Sequence, residues 1–149
     1  MKCLTSLVLM GLAGMVLGGC GQPSTDSPGA ATTSAPVSAN KVVVYYMHRT
    51  IRCFTCQRME AATRQALQES FPSEIASGRL ELKVEDYQKR EDLAKQYGVH
   101  TVSVLVVTVA DGREVSHRDL DRIWDLQMRN DAFRAYITEA VRAAMGETQ

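Results

Sequence analysis

The feature that most constrains this chain is a pair of cysteines placed between two segments of different periodicity. Residues 42–46 are VVVYY, an apolar and largely β-branched run that predicts a buried strand. Residues 57–71 repeat apolar side chains at helical spacing. Cys53 and Cys56 therefore form a C-x-x-C motif at a strand-to-helix junction, and in that context the motif predicts thiol–disulfide chemistry.

Cys53 is the member of the pair that we expect to react first. At the start of a helix, its sulfur faces backbone N–H groups without helical partners and the positive end of the helix dipole, and both stabilise a thiolate. Basic side chains nearby add to this effect: Arg49, Arg52, Arg58 and His48. Cysteines in such settings have pKa values of roughly 3.5–7.5. Cys56, one helical turn further on, is close enough to resolve a mixed disulfide formed by Cys53.

Two other roles for the cysteine pair stay open. The first is a purely structural disulfide. The second is a binding module in which Cys53 and Cys56 hold copper or arsenic(III) as thiolates, since soft ligands suit these ions. The side chains that would complete such a site are Met47, His48, and His100 or Ser103 from a second loop. Thiol–disulfide exchange needs no cofactor, so copper belongs only to this alternative.

Three polar side chains near the pair each have two interpretations. His48 is either a proton acceptor or an exposed loop residue. Glu60, one turn beyond the pair, either relays protons or forms an ion pair with Arg64 at i,i+4 spacing. Arg52 either lowers the pKa of the thiolate or, together with Arg49, steers an anionic partner. The sequence leaves each of these choices open.

The first forty residues predict export and anchoring. Residues 1–19 have the basic start and short apolar stretch of a signal peptide, and the stretch is too short for a membrane span. They end in LGG before Cys20, which resembles a bacterial lipobox and predicts lipidation of Cys20; an ordinary secretory signal with an incidental cysteine is the alternative. Residues 20–40 therefore predict a lipidated cysteine and a flexible linker. We expect a lipid-anchored protein on the periplasmic or extracytoplasmic side of a cell-envelope membrane, where disulfides persist.

Residues 41–149 are predicted to form one folded α/β domain. The periodicity of apolar residues predicts further strands at 79–85, 102–109 and 113–117. Periodicity and capping residues predict helices at 89–97, at 121–127 and from an N-cap at Asn130. Residues 72–78 are predicted to form a connection, and Asp111-Gly112 a tight hairpin turn. The resulting order is β-α-β-α-β-β-α. We expect both β-α-β pieces to be right-handed crossovers into a mixed sheet.

This order, with C-x-x-C after the first strand, resembles the thioredoxin superfamily. The resemblance implies a thioredoxin-like fold, with a central mixed four-stranded sheet flanked by helices. More closely, the domain is similar to a small group of bacterial and archaeal thioredoxin-like proteins, the nitrophenyl compound nitroreductase subunit ArsF family. The residues that carry this likeness are Tyr46, Arg52-Cys53, Thr55-Cys56, Glu60, Asp111-Gly112 and Ile123-Trp124. No flavin or nicotinamide motif is visible, so nothing predicts that the chain reduces nitro groups alone.

Two positions depart from the thioredoxin pattern. Phe54 and Thr55 replace the Gly-Pro between the cysteines, so the reduction potential of thioredoxins cannot be transferred. Ser103 stands where thioredoxins carry a cis-proline facing the pair. Because a cis bond before a residue other than proline costs about 2.5–4 kcal/mol, we expect a trans bond or a rearranged loop there. In the superfamily that proline helps to bind extended substrate and keeps metals off the thiols. Its replacement therefore weakens the expectation that the chain binds a protein substrate, and it favours metal binding.

Charge and compartment limit the partners. The chain has 17 basic and 17 acidic residues and a formal net charge of +0 at pH 7, without the basic excess that nucleic-acid binding requires. We therefore expect no nucleic acid among the partners and propose protein thiols and disulfides as substrates. Since free glutathione is not dependable outside the cytoplasm, the expected redox partner is a membrane protein that passes electrons across the bilayer.

Overall fold

The computed structural model describes residues 41–146 of the chain. The predicted signal peptide, residues 1–19, lies outside the described residues, and so do the predicted lipidation site Cys20 and the predicted linker. Within residues 41–146 the chain forms four strands and five helices. None of the helices in this range is long and apolar enough to cross a membrane.

The elements follow the predicted order, with two short helices added, one in the predicted connection at 72–78 and one in the segment predicted as helical at 121–127. Their bounds are β1 Lys41–His48, α1 Phe54–Ser70, α2 Pro72–Ala76, β2 Leu80–Asp86, α3 Glu91–Tyr97, β3 Ser103–Ala110, β4 Arg113–Asp119, α4 Ile123–Leu126 and α5 Asn130–Ala144. Helix α2 lies in the segment predicted as a plain connection. Pro72 is tolerated at its start because a first helical residue has no helical partner for its N–H.

The four strands form one mixed sheet in the order β2-β1-β3-β4. Strand β1 is parallel to β2, with Val42 opposite Leu80, and antiparallel to β3, with Tyr46 opposite Val104. Strands β3 and β4 are antiparallel neighbours. This sheet, flanked by helices, confirms the predicted thioredoxin-like α/β fold. The predicted second crossover is wrong, because β3 runs antiparallel to β1 and therefore also to β2, whereas a crossover of that kind joins parallel strands.

Two apolar clusters of unequal size cover the two faces of the sheet. The larger one packs α1 and α5 against alternate residues of β1 and β3, including Tyr46 and Val104. The smaller one lies under α3, and its buried members are Val43, Met47, Leu93, Val99, Leu105 and Val107. Successive strand residues point to opposite faces. The two neighbours Tyr46 and Met47 therefore belong to different clusters.

All four predicted helices start one to three residues away from the predicted positions: α3 and α4 begin two residues later, and α1 and α5 begin earlier. Helix α1 begins at Phe54, three residues earlier than predicted, because Cys53 is its N-cap and accepts the first backbone hydrogen bond at 3.0 Å. Helix α5 begins at Asn130, the predicted N-cap. The N-cap is instead Arg129, whose carbonyl accepts a 2.9 Å hydrogen bond from the N–H of Phe133. No side chain caps this end, so the polar side chain of Asn130 does not have the role that its residue type suggested.

The predicted hairpin and helix stop are both confirmed. Asp111 and Gly112 have φ values of 52° and 74°, as a two-residue turn between β3 and β4 requires. Gly98 ends α3 with a φ of 65°, which a glycine adopts without steric cost. All seven residues of β4 are exposed, and this strand forms an edge of the sheet. The end of α3 contacts it, since the hydroxyl of Tyr97 donates to Glu114 at 2.7 Å.

Candidate active site

The cysteine pair lies where β1 passes into α1, at the edge where the parallel strands end. Strand β1 ends at His48, residues 49–52 form a short loop, and Cys53 caps the helix. Cys53 and Cys56 form a disulfide, with their Cα atoms 5.2 Å apart. This confirms the predicted junction and brings the two sulfurs together at the start of the helix.

The two sulfurs differ in their access to solvent. Cys53 is exposed, whereas Cys56 is only 4% exposed and packs in the larger apolar cluster. The Cys53 sulfur also accepts a hydrogen bond from the backbone N–H of Cys56 at 3.2 Å. An N–H directed at the sulfur at a helix N-terminus stabilises negative charge there. The geometry therefore allows a partner to reach Cys53 and shields Cys56, while Thr55 between them is partly buried.

Tyr46 of β1 is hydrogen-bonded to the first turn of α1. Its buried hydroxyl donates a 2.6 Å hydrogen bond to the carbonyl of Cys56. Burial raises the pKa of Tyr46 to about 12, although the nearby positive charge of Arg52 acts in the opposite direction. The phenol therefore stays neutral and keeps its proton for this bond. The sequence does not predict this hydrogen bond of Tyr46, because the bond depends on the position of α1 over β1.

Glu60 forms ion pairs with two arginines. It pairs with Arg64 at 3.1 Å, which is one of the two interpretations given above. It also pairs with Arg52, the residue immediately before Cys53. The Arg52 guanidinium is thus directed to the first turns of α1, and Glu60 compensates its charge. A role of Glu60 in proton relay stays a prediction.

A hydrogen-bonded latch holds the loop before Cys53 against the end of β2. The hydroxyl of Thr50 donates to the Asp86 carboxylate at 2.6 Å, and the N–H of Thr50 donates to the side-chain oxygen of Gln88 at 3.1 Å. The N–H of Gln88 in turn donates to Asp86 at 3.0 Å, and the N–H of Tyr87 donates to the carbonyl of His48 at 3.0 Å. The hydrogen bond from Thr50 is the main reason why the pKa of Asp86 is lowered.

This latch is the part of the site that sequence reasoning missed. Asp86 is the last residue of β2 and lies opposite His48 in the parallel register. Because parallel strands end at the same edge of a sheet, a polar residue at the end of the second strand was the available clue. Using this clue requires knowing that β1 and β2 are neighbours.

The remaining candidate residues are not all close to the cysteines. Met47 is fully buried in the cluster under α3, so the structure does not bring it to the pair. His48 is partly exposed, with Nδ1 2.8 Å from the carbonyl oxygen of Arg49, and His100 is exposed. Among residues 41–146, no group of three or more His, Cys, Asp or Glu side chains is arranged to hold a metal ion.

Ser103 occupies a buried position at the start of β3. It lies opposite Met47 in the antiparallel register, and its hydroxyl donates to the Thr101 carbonyl at 3.4 Å. The structure has no cis peptide bond between residues 41 and 146, which agrees with the expected trans bond before Ser103. The carbonyl just before Ser103, that of Val102, accepts a 3.1 Å hydrogen bond from the indole of Trp124. This loop is therefore held from α4.

The sheet order, the helix after β1 and the position of the disulfide define a thioredoxin-like fold with a C-x-x-C pair. No protein-family model and no curated protein matches the sequence. Similar solved structures include a mutant thioredoxin from Halobacterium salinarum, with 20% identity, 73% of this chain and 80% of that chain covered, and a TM-score of 0.44. The thioredoxin of Fasciola hepatica has 20% identity over 68% of this chain and 83% of its own, with a TM-score of 0.41.

A third similar structure is Trxlp from Edwardsiella tarda, with 15% identity, 68% of this chain and 85% of that chain covered, and a TM-score of 0.42. These values are low. The assignment of the fold therefore rests on the strand order, the strand directions and the helix that follows β1.

Proposed function

We propose that this chain is an extracytoplasmic thiol–disulfide oxidoreductase, anchored to a membrane by a lipid on Cys20. The observation that carries the proposal is the asymmetry of the disulfide: Cys53 is exposed at the N-terminus of α1, and Cys56 is buried one turn further on. A structural disulfide has no need of one accessible sulfur that accepts a helix N–H. An exchange reaction needs this arrangement for its attacking thiolate.

The reaction runs as two exchanges of sulfur–sulfur bonds. In the reduced chain, the Cys53 thiolate attacks one sulfur of a substrate disulfide, so that a mixed disulfide forms and one substrate thiolate leaves. The Cys56 thiol then loses its proton and its sulfur attacks Cys53, which forms the intramolecular disulfide and releases the second substrate thiolate. Two electrons pass from the pair to the substrate. The reverse sequence oxidises a substrate dithiol, and the potential of the pair relative to that of its partner sets the direction.

Anchoring and family membership are the finer parts of the proposal. The apolar stretch in residues 1–19 and the LGG-Cys20 sequence support export and lipidation. Arg52-Cys53, Thr55-Cys56 and Glu60 support membership of the nitrophenyl compound nitroreductase subunit ArsF family. A membrane protein that delivers or removes two electrons would complete the cycle, because the compartment does not supply a dependable glutathione pool.

The test is the equilibrium reduction potential of Cys53 and Cys56 in residues 21–149, which retain every described residue and no other cysteine. Titration with reduced and oxidised glutathione, followed by alkylation and mass measurement, gives the potential. A value between about −120 and −270 mV lies in the range of exchange proteins and supports the proposal. A value below about −300 mV is typical of a structural disulfide and would overturn it.

A further inference from the structure

Four large apolar side chains remain exposed near the disulfide. Their exposed fractions are 86% for Ile51, 79% for Phe54, 75% for Met128 and 37% for Trp124. Ile51 and Phe54 flank Cys53 in the sequence, whereas Met128 and Trp124 come from the segment of α4 and its following loop. Apolar residues that cluster in this way on a surface indicate an interaction site.

Hydrogen bonds place the two segments at the same end of the molecule. Arg58 lies one helical turn after Phe54 on the same face of α1. Its guanidinium donates to the Gln127 carbonyl at 2.7 Å and contacts the Met128 sulfur at 3.0 Å. Met128 is therefore a neighbour of the helix turn that begins at Phe54.

Trp124 lies at the same end because it is hydrogen-bonded to the residue before β3. Its indole bonds to Val102, which precedes Ser103, and Ser103 lies opposite Met47 near the end of β1. The loop that carries Ile51 and Cys53 leaves the sheet at this end. The four apolar residues thus lie at the same end of the molecule as the accessible sulfur. We call them, together with Arg49, Arg58 and Arg129, the docking face.

The charges of the docking face are mainly positive. Arg49, Arg58 and Arg129 have no ion pair with an acidic residue in the described part of the chain, and no acidic residue occurs between Lys41 and Met59. Two acidic residues near the cysteine pair are already engaged: Glu60 with two arginines, and Asp86 with Thr50 and Lys89. Asp125 is the exposed acidic residue between Trp124 and Met128. The face therefore complements an anionic partner.

We infer that the docking face binds a polypeptide segment with apolar residues next to its disulfide-bonded cysteine and acidic residues around them. This inference rests on the proposed function and names the substrate class of the same site. A polypeptide is favoured over a lipid surface because the exposed Cys53 stands between Ile51 and Phe54 in the same segment, and only a partner with a disulfide or thiol makes use of its sulfur. The arginines would speed the encounter, and the apolar contacts would prolong it.

Synthetic peptides with one cysteine in a mixed disulfide test this inference in residues 21–149. The reduced protein is mixed with an acidic–apolar, a basic–apolar or an acidic–polar peptide, and the second-order rate constants are compared with that for 2-hydroxyethyl disulfide, which is small and uncharged. We expect the acidic–apolar peptide to react at least about tenfold faster than either other peptide at low ionic strength. Its advantage over the basic peptide should fall as salt is added, because salt screens exposed charges.

Substitutions with matched controls separate the two components of binding. Met128→Ser and Ile51→Ser should lower the ratio of the acidic–apolar peptide rate to the small-disulfide rate about tenfold. Ile75→Ser and Val115→Ser remove exposed apolar side chains that are distant in the fold, and they should leave this ratio unchanged. Arg129→Glu should abolish most of the charge preference, whereas Arg113→Glu at the hairpin end of β4 should leave it unchanged.

The outcomes distinguish this inference from the proposed function. If the wild-type protein does not exchange with 2-hydroxyethyl disulfide, the proposed function fails and the inference fails with it. If exchange occurs but the three peptides react equally fast, only the inference fails. The inference also fails if the peptide rates show no preference and the docking face binds phosphatidylglycerol vesicles. It fails likewise if the protein is a dimer that Met128→Ser dissociates.

Discussion

The hydroxyl of Thr50 donates to the carboxylate of Asp86 at 2.6 Å, across 36 positions of sequence. The bond connects the loop before Cys53 with the end of β2, so the position of Cys53 depends on a strand to which it is not directly joined. Thr50 is exposed and Asp86 is partly exposed, so water competes for the hydrogen bond between them. The latch therefore affects the mobility of the loop more than the stability of the whole fold.

Removal of the latch should loosen the loop at residues 49–52. In Thr50→Val, the hydroxyl donor is lost, and we expect amide hydrogen exchange in this loop to become about five- to tenfold faster while exchange in β1 stays unchanged. Hydrogen exchange with mass readout measures both regions. Asp92→Asn is the control, because Asp92 is another aspartate with a side-chain partner but bonds to Arg90 at the start of α3. Equal exchange rates in wild type and Thr50→Val would show that the latch does not restrain the loop.

The latch should also depend on pH in the acid range. The folded-state pKa of Asp86 is lowered, so its carboxylate stabilises the latch above the unfolded-state pKa of about 3.9, and this contribution is lost as the pH falls through the lower folded value. The excess exchange of the Thr50→Val loop over wild type should therefore shrink as the pH falls below about 3.9 and the carboxylate becomes protonated, after correction for intrinsic rates. A difference that stays constant until Asp86 is protonated would exclude the carboxylate as the acceptor that matters.

Tyr46 should make the oxidised protein sensitive to alkali. Its pKa is raised to about 12, so the neutral phenol favours the folded state fully below about pH 10, and this stabilisation is lost as the pH rises towards 12. Tyr46→Phe lacks this group, and its unfolding free energy should fall less steeply over that range, by roughly 2 kcal/mol in total. At pH 7 the variant should lose about 1 kcal/mol with the hydrogen bond to Cys56. Urea unfolding at several pH values measures both effects, and parallel curves above pH 10 would contradict the first.

The two cysteines should give different trapping results. Cys56→Ser leaves the exposed Cys53 without its resolving partner, so a mixed disulfide with a peptide substrate should accumulate to nearly one equivalent. Cys53→Ser leaves only the buried Cys56, and we expect its mixed disulfide to form at least about 100-fold more slowly, since access limits the exchange rate. Mass measurement after acid quenching counts the adducts. Equal trapping rates in the two variants would mean that burial does not assign the roles.

Glu60 should moderate the positive charge next to Cys53. In Glu60→Gln, Arg52 keeps its charge and loses its ion-pair partner, so the Cys53 thiol should ionise at a pH lower by roughly one unit. The rate of alkylation against pH measures this ionisation in the reduced protein. Glu69→Gln is the control, because Glu69 pairs with Arg134 of α5 and lies about 24 Å from Cys53 along the axis of α1. A shift of the same size in both variants would reflect the net charge of the protein and not the pair with Arg52.

Much of the fold could be predicted because its determinants are local in sequence. The apolar runs of β1 and β3, the turn at Asp111 and Gly112 and the stop at Gly98 each depend on a few adjacent residues. The position of the cysteine pair followed from the same patterns. The start of α5 did not, because Arg129 takes the cap position without any side-chain bond, and helix boundaries depend on how the buried face packs.

The parts of the site that escaped prediction depend on contacts between distant residues. The bond between Thr50 and Asp86 requires that β1 and β2 be parallel neighbours. The role of Tyr46 requires the helix to lie over its face of the sheet, and the same alternation sends Met47 to the other face. The direction of the Arg52 side chain depends on where Glu60 lies after the helix forms. A one-dimensional pattern contains none of these relations.

The unequal apolar clusters imply an order in which the domain opens. The side under α3 has six buried residues and a helix of two turns, so it can detach while the other side stays intact. Helix α1 belongs to the thicker side, where α5 packs beside it. A partly unfolded molecule would therefore retain the exposed Cys53 sulfur at a formed helix end, and the proposed exchange reaction would outlast the loss of complete native structure on heating.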